Sequence, residues 1–223
     1  MKKIFTATLL ISFVLFLGVF LIGCVNYEQK TELNKDGSGD MEVHYWTGMS
    51  NVKSSTKVGD FNFKEEDVKT DYTSSNTEVK DVKIEEDLKD STKHVKVKLS
   101  FKDINKLSDA KGFKKIKVSW TEGDDGMDFK YVVAKDTSAA KNMGASDNKL
   151  NYEFKFPAEV LKTNGTKDGE TVKWNNTLAD LKADIEMTAT VKSGKKCGLF
   201  GLELPLVLGL GLTIFITSRK FRK

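Results

Sequence analysis

His94-Val95-Lys96-Val97-Lys98-Leu99-Ser100-Phe101 alternates polar and apolar side chains residue by residue. Val95, Val97, Leu99 and Phe101 share one face, while His94, Lys96, Lys98 and Ser100 share the other. Successive side chains of a strand point to opposite faces, so the stretch is a half-buried strand with one wet side. Residues 79–86 carry a compatible pattern upstream, and the two segments read as a β-hairpin. The period extends outward in both directions. Tyr27, Gln29, Thr31 and Leu33 alternate with Glu28, Lys30 and Glu32. Lys35-Asp36-Gly37-Ser38-Gly39 then supplies a turn with glycines available for positive φ, and Met41, Val43 and Tyr45 resume the alternation. Downstream, Ile116, Val118 and Trp120 pair with Met127, Phe129 and Tyr131 across Glu122-Gly123-Asp124-Asp125-Gly126. Leu150, Tyr152, Phe154 and Phe156 form a further strand, stopped by Pro157, and short strands follow at 171–174 and 184–191. Helical pieces are few: residues 63–72, 103–110 and 138–143. A face that stays wet argues for antiparallel pairing. The expected fold is α+β: a mainly antiparallel β-sheet with a few short helices on one face.

The ends of the chain are of another kind. Lys2 and Lys3 precede an apolar run over residues 4–22, which closes on Leu21-Ile22-Gly23-Cys24. A secretory signal has this charge and length, and small residues usually mark its cut. A branched apolar residue, then Gly, then Cys resembles the lipobox of bacterial lipoproteins. The resemblance implies diacylglyceryl transfer to the Cys24 thiol and cleavage between Gly23 and Cys24. Its alternative is an uncleaved N-terminal transmembrane helix with an incidental cysteine.

The C-terminus carries a second apolar run. Residues 204–218 lack charge and give about 22 Å of helix; residues 198–218 give about 31 Å, enough to span hydrocarbon. Glu203 and Pro205 then fall in the first turns, where a carboxylate and a proline are tolerated. Arg219, Lys220, Arg222 and Lys223 stay cytoplasmic by the positive-inside rule. Cys197, Gly198, Gly201 and Glu203, followed by a helix and a basic tail, also resemble a protein-sorting tag that a membrane enzyme removes. A plain anchor needs only the apolar helix and its basic flank. The expected organisation is a signal peptide over 1–23, an ectodomain over 24–191, a linker over 192–197, a transmembrane helix over 198–218 and a basic tail over 219–223.

The chain has 223 residues, 30% charged and 39% hydrophobic, with 36 basic and 32 acidic side chains. Eight basic residues flank the two apolar ends, both arginines lie within the last five positions, and the stretch between, with 28 basic and 31 acidic side chains, is slightly acidic. A nucleic-acid face needs a basic, arginine-bearing patch, which is lacking. The lysines read as solvated strand edges.

Beyond the lipobox, Leu33-Asn34-Lys35-Asp36-Gly37-Ser38-Gly39 follows the first strand. Phe154-Lys155-Phe156-Pro157, Asn164-Gly165, Asp168-Gly169 and Thr171-Val172-Lys173-Trp174 come much later, before Leu178 and an alternating last strand. This order is similar to that of the LppM-domain lipoproteins of bacteria. The resemblance covers most of residues 24–191 and rests on its two ends, with 50–148 left unaligned. It implies an envelope lipoprotein with no established catalytic residues and carries over no enzyme.

Catalytic patterns are missing. The sequence has no Gly-x-Ser-x-Gly elbow, P-loop or dinucleotide fingerprint. His44 and His94 lie on different strands with no cysteine in the sheet domain, too few ligands for a zinc site by type. Glu122, Asp124, Asp125 and Asp128 lack the alternate spacing of a calcium loop and read as a solvated turn. Trp46, Trp120, Trp174, Phe129, Tyr131, Tyr152, Phe154 and Phe156 are expected mostly in the core, with a minority lining a groove for an apolar ligand.

The expected protein is therefore a membrane-anchored lipoprotein of the cell envelope, on the extracytoplasmic side, lipidated at Cys24. It is expected to be no enzyme and to need no cofactor or metal. Its expected partners are the membrane, the lipoprotein-processing enzymes, and a lipid, glycolipid or envelope protein ligand, with no nucleic acid. A cell-envelope enzyme and a structural, surface-displayed protein are the alternatives.

Overall fold

The computed structural model describes residues 25–141 and 147–193. Gly23, Cys24, Cys197, Gly198, Gly201, Glu203, the signal segment, the 198–218 helix and the tail lie outside the described residues. Among the described residues no helix is long and apolar enough to cross a membrane.

Alternation produces strands where it was read and extends them. The strands are β1 (Asn26–Leu33), β2 (Gly39–Gly48), β3 (Lys57–Val58), β4 (Phe61–Asn62), β5 (Thr77–Asp87), β6 (Thr92–Phe101) and β7 (Ile116–Glu122). They continue as β8 (Met127–Val133), β9 (Lys149–Lys155), β10 (Val160–Thr163), β11 (Thr166–Asp168), β12 (Thr171–Thr177) and β13 (Ile185–Val191). The three hairpins form as expected: β1 with β2, β5 with β6, and β7 with β8, all antiparallel. Gly37 has a φ of +85° in the first turn, and the Asp36 carboxylate accepts from the Ser38 amide at 3.0 Å.

Two features depart from the expected layout. The first is the cover over the sheet. One sheet has seven strands in the order β11-β12-β9-β1-β2-β6-β5, and a second has four in the order β10-β13-β8-β7. Phe129 and Tyr131 of β8 meet Phe154 and Tyr152 of β9, so the second sheet takes much of the face assigned to helices. Two layers of half-wet strands bury each other's apolar faces, and no helical layer is needed there. The second is direction: β1 and β9 pair in parallel, with Tyr27 opposite Leu150 and Thr31 opposite Phe154. Reaching β9 takes the chain through the whole β2–β8 region, so no hairpin forces the strands antiparallel.

Helices are short. α1 (Glu65–Tyr72) opens on Glu65, Glu66 and Asp67, which complement the positive end of its dipole, and turns Val68 and Tyr72 inward. The expected 103–110 helix is a 3₁₀ piece over Ile104–Asp109, whose entry Asp103 caps by accepting from the Asn105 amide. α2 (Thr137–Ala140) begins where 138–143 was expected, and Met143 lies outside the described residues. Another 3₁₀ turn, Leu178–Lys182, starts with a reciprocal capping box between Thr177 and Asp180.

Strand parity corrects one core assignment. Met41, Val43, Tyr45 and Thr47 of β2 face inward, so Trp46 faces outward and is only half-buried, unlike Trp120 and Trp174.

Candidate functional site

The space between the sheets is filled at one end and hollow at the other. Around the hollow end lies a cavity of about 630 Å³. Its walls come from the first residues of β1 and β9, the end of β2, and the edges of β7 and β8. Tyr27, Tyr45, Leu150 and Tyr152 contribute from the large sheet, Ile116 and Val133 from the small one. The β3–β4 hairpin crosses over it and inserts Phe61 between Tyr27 and Tyr45, at ring separations of 6.0 and 5.0 Å. This hairpin is a two-stranded sheet of its own, hydrogen-bonded into neither large sheet. Its two-residue strands carry too little alternation to stand out in the sequence.

The phenolic hydroxyls define the wall's chemistry. Burial pushes the Tyr27, Tyr45, Tyr72, Tyr131 and Tyr152 phenols upward, so each is a neutral hydroxyl. Gln29, on the buried face of β1, serves two of them. Its Oε1 accepts from Tyr27 at 2.9 Å and from Tyr131 at 3.0 Å, while its Nε2 donates to Thr31 at 3.0 Å. The Tyr45 hydroxyl donates to the Asn62 carbonyl. Tyr72 and Tyr152 are 4% and 3% exposed and line the cavity, yet their hydroxyls have no hydrogen-bond partner among the described residues. Neither oxygen is sealed off: among the described residues the buried side-chain polar atom left without a partner is the Asn176 amide nitrogen.

Charge lies mostly at the rim, with Asp71 set deeper in the wall. Lys115 bridges Asp60 at 2.7 Å and Asp136 at 2.8 Å, tying the β3–β4 turn to the entry of α2. Lys115, the Ser138 hydroxyl and the Ala139 amide hold the Asp136 carboxyl well below its ordinary value. Asp71, buried beside the cavity, accepts from Asn62 and from Lys111, both at 2.5 Å. Lys57 and Lys114 are exposed on the rim and join no ion pair among the described residues. Gly112 sits beside Tyr72 because a Cβ there would come within 2.8 Å of its ring.

Val25, the residue after Cys24, is buried and lines the cavity. The acidic turn holds no cation cage: Asp125 pairs with Lys162 at 2.8 Å and Asp128 accepts from Thr190 at 3.0 Å. Among the described residues no three His, Cys, Asp or Glu side chains gather as a metal site. The two histidines, which the sequence placed only on separate strands, meet on the outer face of the large sheet. His44 Nε2 and His94 Nδ1 are 3.0 Å apart. Burial, then the neighbouring His94, pushes the His44 imidazole below its ordinary pKa. Sequence periodicity shows that both residues face outward; strand pairing alone brings them together.

A family model described as the LppM domain matches residues 47–193. That match takes in the middle of the chain and leaves out Leu33 to Gly39. A solved structure of the folded domain of Mycobacterium tuberculosis LppM, determined by NMR, is similar to this chain. It is 16% identical, covers 76% of this chain and 90% of its own, and superposes with a TM-score of 0.47. Comparison with curated proteins gives no match.

Proposed function

Because this chain belongs to the LppM-domain family, we propose that it is a non-catalytic envelope lipoprotein whose sheet sandwich takes up the apolar part of a lipid. One observation carries the reading. The cavity falls in the size range of small-molecule sites, and two buried phenols, Tyr72 and Tyr152, turn hydroxyls without a partner toward an otherwise mostly apolar wall. Such hydroxyls suit a polar group of a ligand, or water in its absence. Lys57 and Lys114 at the rim suit an anionic head group.

The non-catalytic part draws support from the directions of the pKa shifts. General acid–base catalysis works best with groups poised near the operating pH. Here the phenols are driven up and Asp136 is driven down, both away from neutrality.

The anchoring belongs to the same proposal. Cleavage between Gly23 and Cys24 and lipidation of Cys24 would start the mature chain one residue before Val25, which lines the cavity. A ligand from the same membrane then has a short route in. The 198–218 helix, retained as an anchor or removed as a sorting tag, would set the far end.

The test uses the full chain in native membranes loaded with a diazirine-tagged phospholipid. Crosslinks are expected on peptides containing Tyr72 and Tyr152. Ala139→Trp, which fills the cavity from its half-exposed rim, is expected to cut them at least tenfold without moving the unfolding midpoint. Labelling that ignores Ala139→Trp would sink the cavity reading. Fatty-acid labelling retained by Cys24→Ala would sink the anchor.

A further inference from the structure

The outer face of the large sheet carries a cluster that the lipid reading does not use. β2 and β6 pair antiparallel, with His44 opposite Lys96 and Trp46 opposite His94. His44 and His94 are therefore diagonal neighbours on the solvent side. Their rings approach within 5.3 Å of each other at an interplanar angle of 22°. His44 Nε2 and His94 Nδ1 face one another at 3.0 Å.

The remaining nitrogen of His94 is held from outside the pair, and that of His44 has a carboxylate nearby. The Thr92 hydroxyl lies 2.8 Å from His94 Nε2. The Glu28 carboxylate, directly opposite His44 in the β1–β2 register, lies 3.8 Å from His44 Nδ1. Metal-binding imidazoles ligate through one nitrogen while a hydroxyl or carboxylate orients the ring through the other, as Thr92 does for His94.

The spacing of the facing nitrogens fits a shared ion. At a metal–imidazole length of about 2.0–2.1 Å, two nitrogens stand about 3.3 Å apart on a tetrahedral ion and about 2.9 Å apart on adjacent corners of a tetragonal one. The observed 3.0 Å lies between these values. Capture of an ion requires the rings to turn so that both lone pairs converge, a rotation about χ2, whose well is broad. The ion would replace the hydrogen bond that the two facing nitrogens share.

We propose that His44 and His94 chelate a divalent transition-metal ion of the copper(II) class through Nε2 and Nδ1, with water completing the coordination. Two imidazoles without a thiolate favour a borderline ion. The stability order among divalent first-row metals places copper(II) highest, and hard ions such as magnesium prefer oxygen. The site lies on the outer face of the sheet, so it stands or falls separately from the cavity.

Trp46 reports on the site. Its ring stacks 4.6 Å from His44 and 5.7 Å from His94, whereas Trp120 and Trp174 are buried in the core. The full chain in detergent micelles is titrated with copper(II) chloride while tryptophan emission and the copper electron paramagnetic resonance spectrum are followed. The expected result is saturable quenching at one ion per chain, with splitting from two imidazole nitrogens and no response to magnesium chloride. His44→Asn and His94→Asn should each weaken binding at least tenfold. Trp46→Phe should remove the quench and keep the two-nitrogen spectrum, a check that does not depend on the histidine variants folding. Unchanged copper binding in the double histidine variant, absence of binding to the wild type at micromolar copper, or a quench that survives Trp46→Phe overturns the proposal.

Discussion

Phe129 and Tyr152 both project between the two sheets, from facing strands, yet they make opposite kinds of interior. Around Phe129 the rings close up. Its centroid lies 4.8 Å from Phe154, 5.1 Å from Phe156 and 6.4 Å from both Trp120 and Trp174. Rings without hydroxyls can pack on every side, and these five bury one another. Around Tyr152 the rings are no farther off, Tyr27 and Tyr131 lying 5.6 and 5.5 Å away, but they are fewer, their hydroxyls are drawn to Gln29, and the space beyond stays open as the 630 Å³ cavity. The filled end holds the sandwich together, and the hollow end leaves polar groups waiting.

The comparison can be broken at several points. The largest effect is expected from Phe129→Ala, which removes the ring at the centre of the filled end and should cost about 3–5 kcal/mol. Denaturant unfolding of the full chain in micelles measures it. A cost under about 1 kcal/mol would mean that the filled end is not what secures the two sheets.

Next comes Gln29→Leu. Gln29 is 1% exposed and accepts from two phenols, so the substitution strands the hydroxyls of Tyr27 and Tyr131. The expected loss is about 1–3 kcal/mol for each hydroxyl. Adding Tyr27→Phe and Tyr131→Phe should recover part of it. A triple variant no more stable than Gln29→Leu alone would show that Gln29 acts by shape rather than by its hydrogen bonds.

At the rim of the hollow end, Asp136 accepts from the Ser138 and Ala139 amides at the start of α2 and pairs with Lys115. Asp136→Ala should cost about 1 kcal/mol. The pH dependence has a definite sign. The Asp136 carboxyl is lowered in the folded state, first by Lys115. Its contribution is therefore whole above the unfolded carboxyl value of about 4 and is lost as the pH falls toward the lower folded value. Melting curves of wild type and variant should converge on acidification below about pH 4; a gap that widens there would reverse the assignment.

The smallest effect on stability, and the sharpest on function, is expected for Tyr152→Phe. Its hydroxyl has no partner to lose, so unfolding should shift by less than about 0.5 kcal/mol. Lipid crosslinking should nonetheless fall about fivefold, the equivalent of one hydrogen bond. Equal crosslinking by the two proteins would mean that the hydroxyl touches no ligand.

The hairpins were legible because period two is a local signal: residues 94–101 show their buried face without reference to anything else. The helical piece expected over 63–72 was legible too, and α1 lies within it. The β3–β4 hairpin was not, since two-residue strands are too short to display a period. The parallel pairing of β1 with β9 was not either, because alternation says which face a strand buries and nothing about its neighbour. Trp46 shows the limit from the other side. Its parity relative to Met41, Val43 and Tyr45 already placed it outward, and only its aromatic character suggested the core.

The sequence by itself determined the β-rich character of the chain, the inward face of each long strand and the family to which those strands belong. These follow from the alternation of side chains along a pleated backbone and from short turn motifs, both of which are written in adjacent residues. Only the tertiary structure decided that a second sheet covers the first, that tyrosines around Gln29 leave one end hollow, and that His44 and His94 come within 3.0 Å. Each of these depends on which distant strands lie side by side. That choice is made by the summed burial of many side chains at once, and no single stretch of the chain records it.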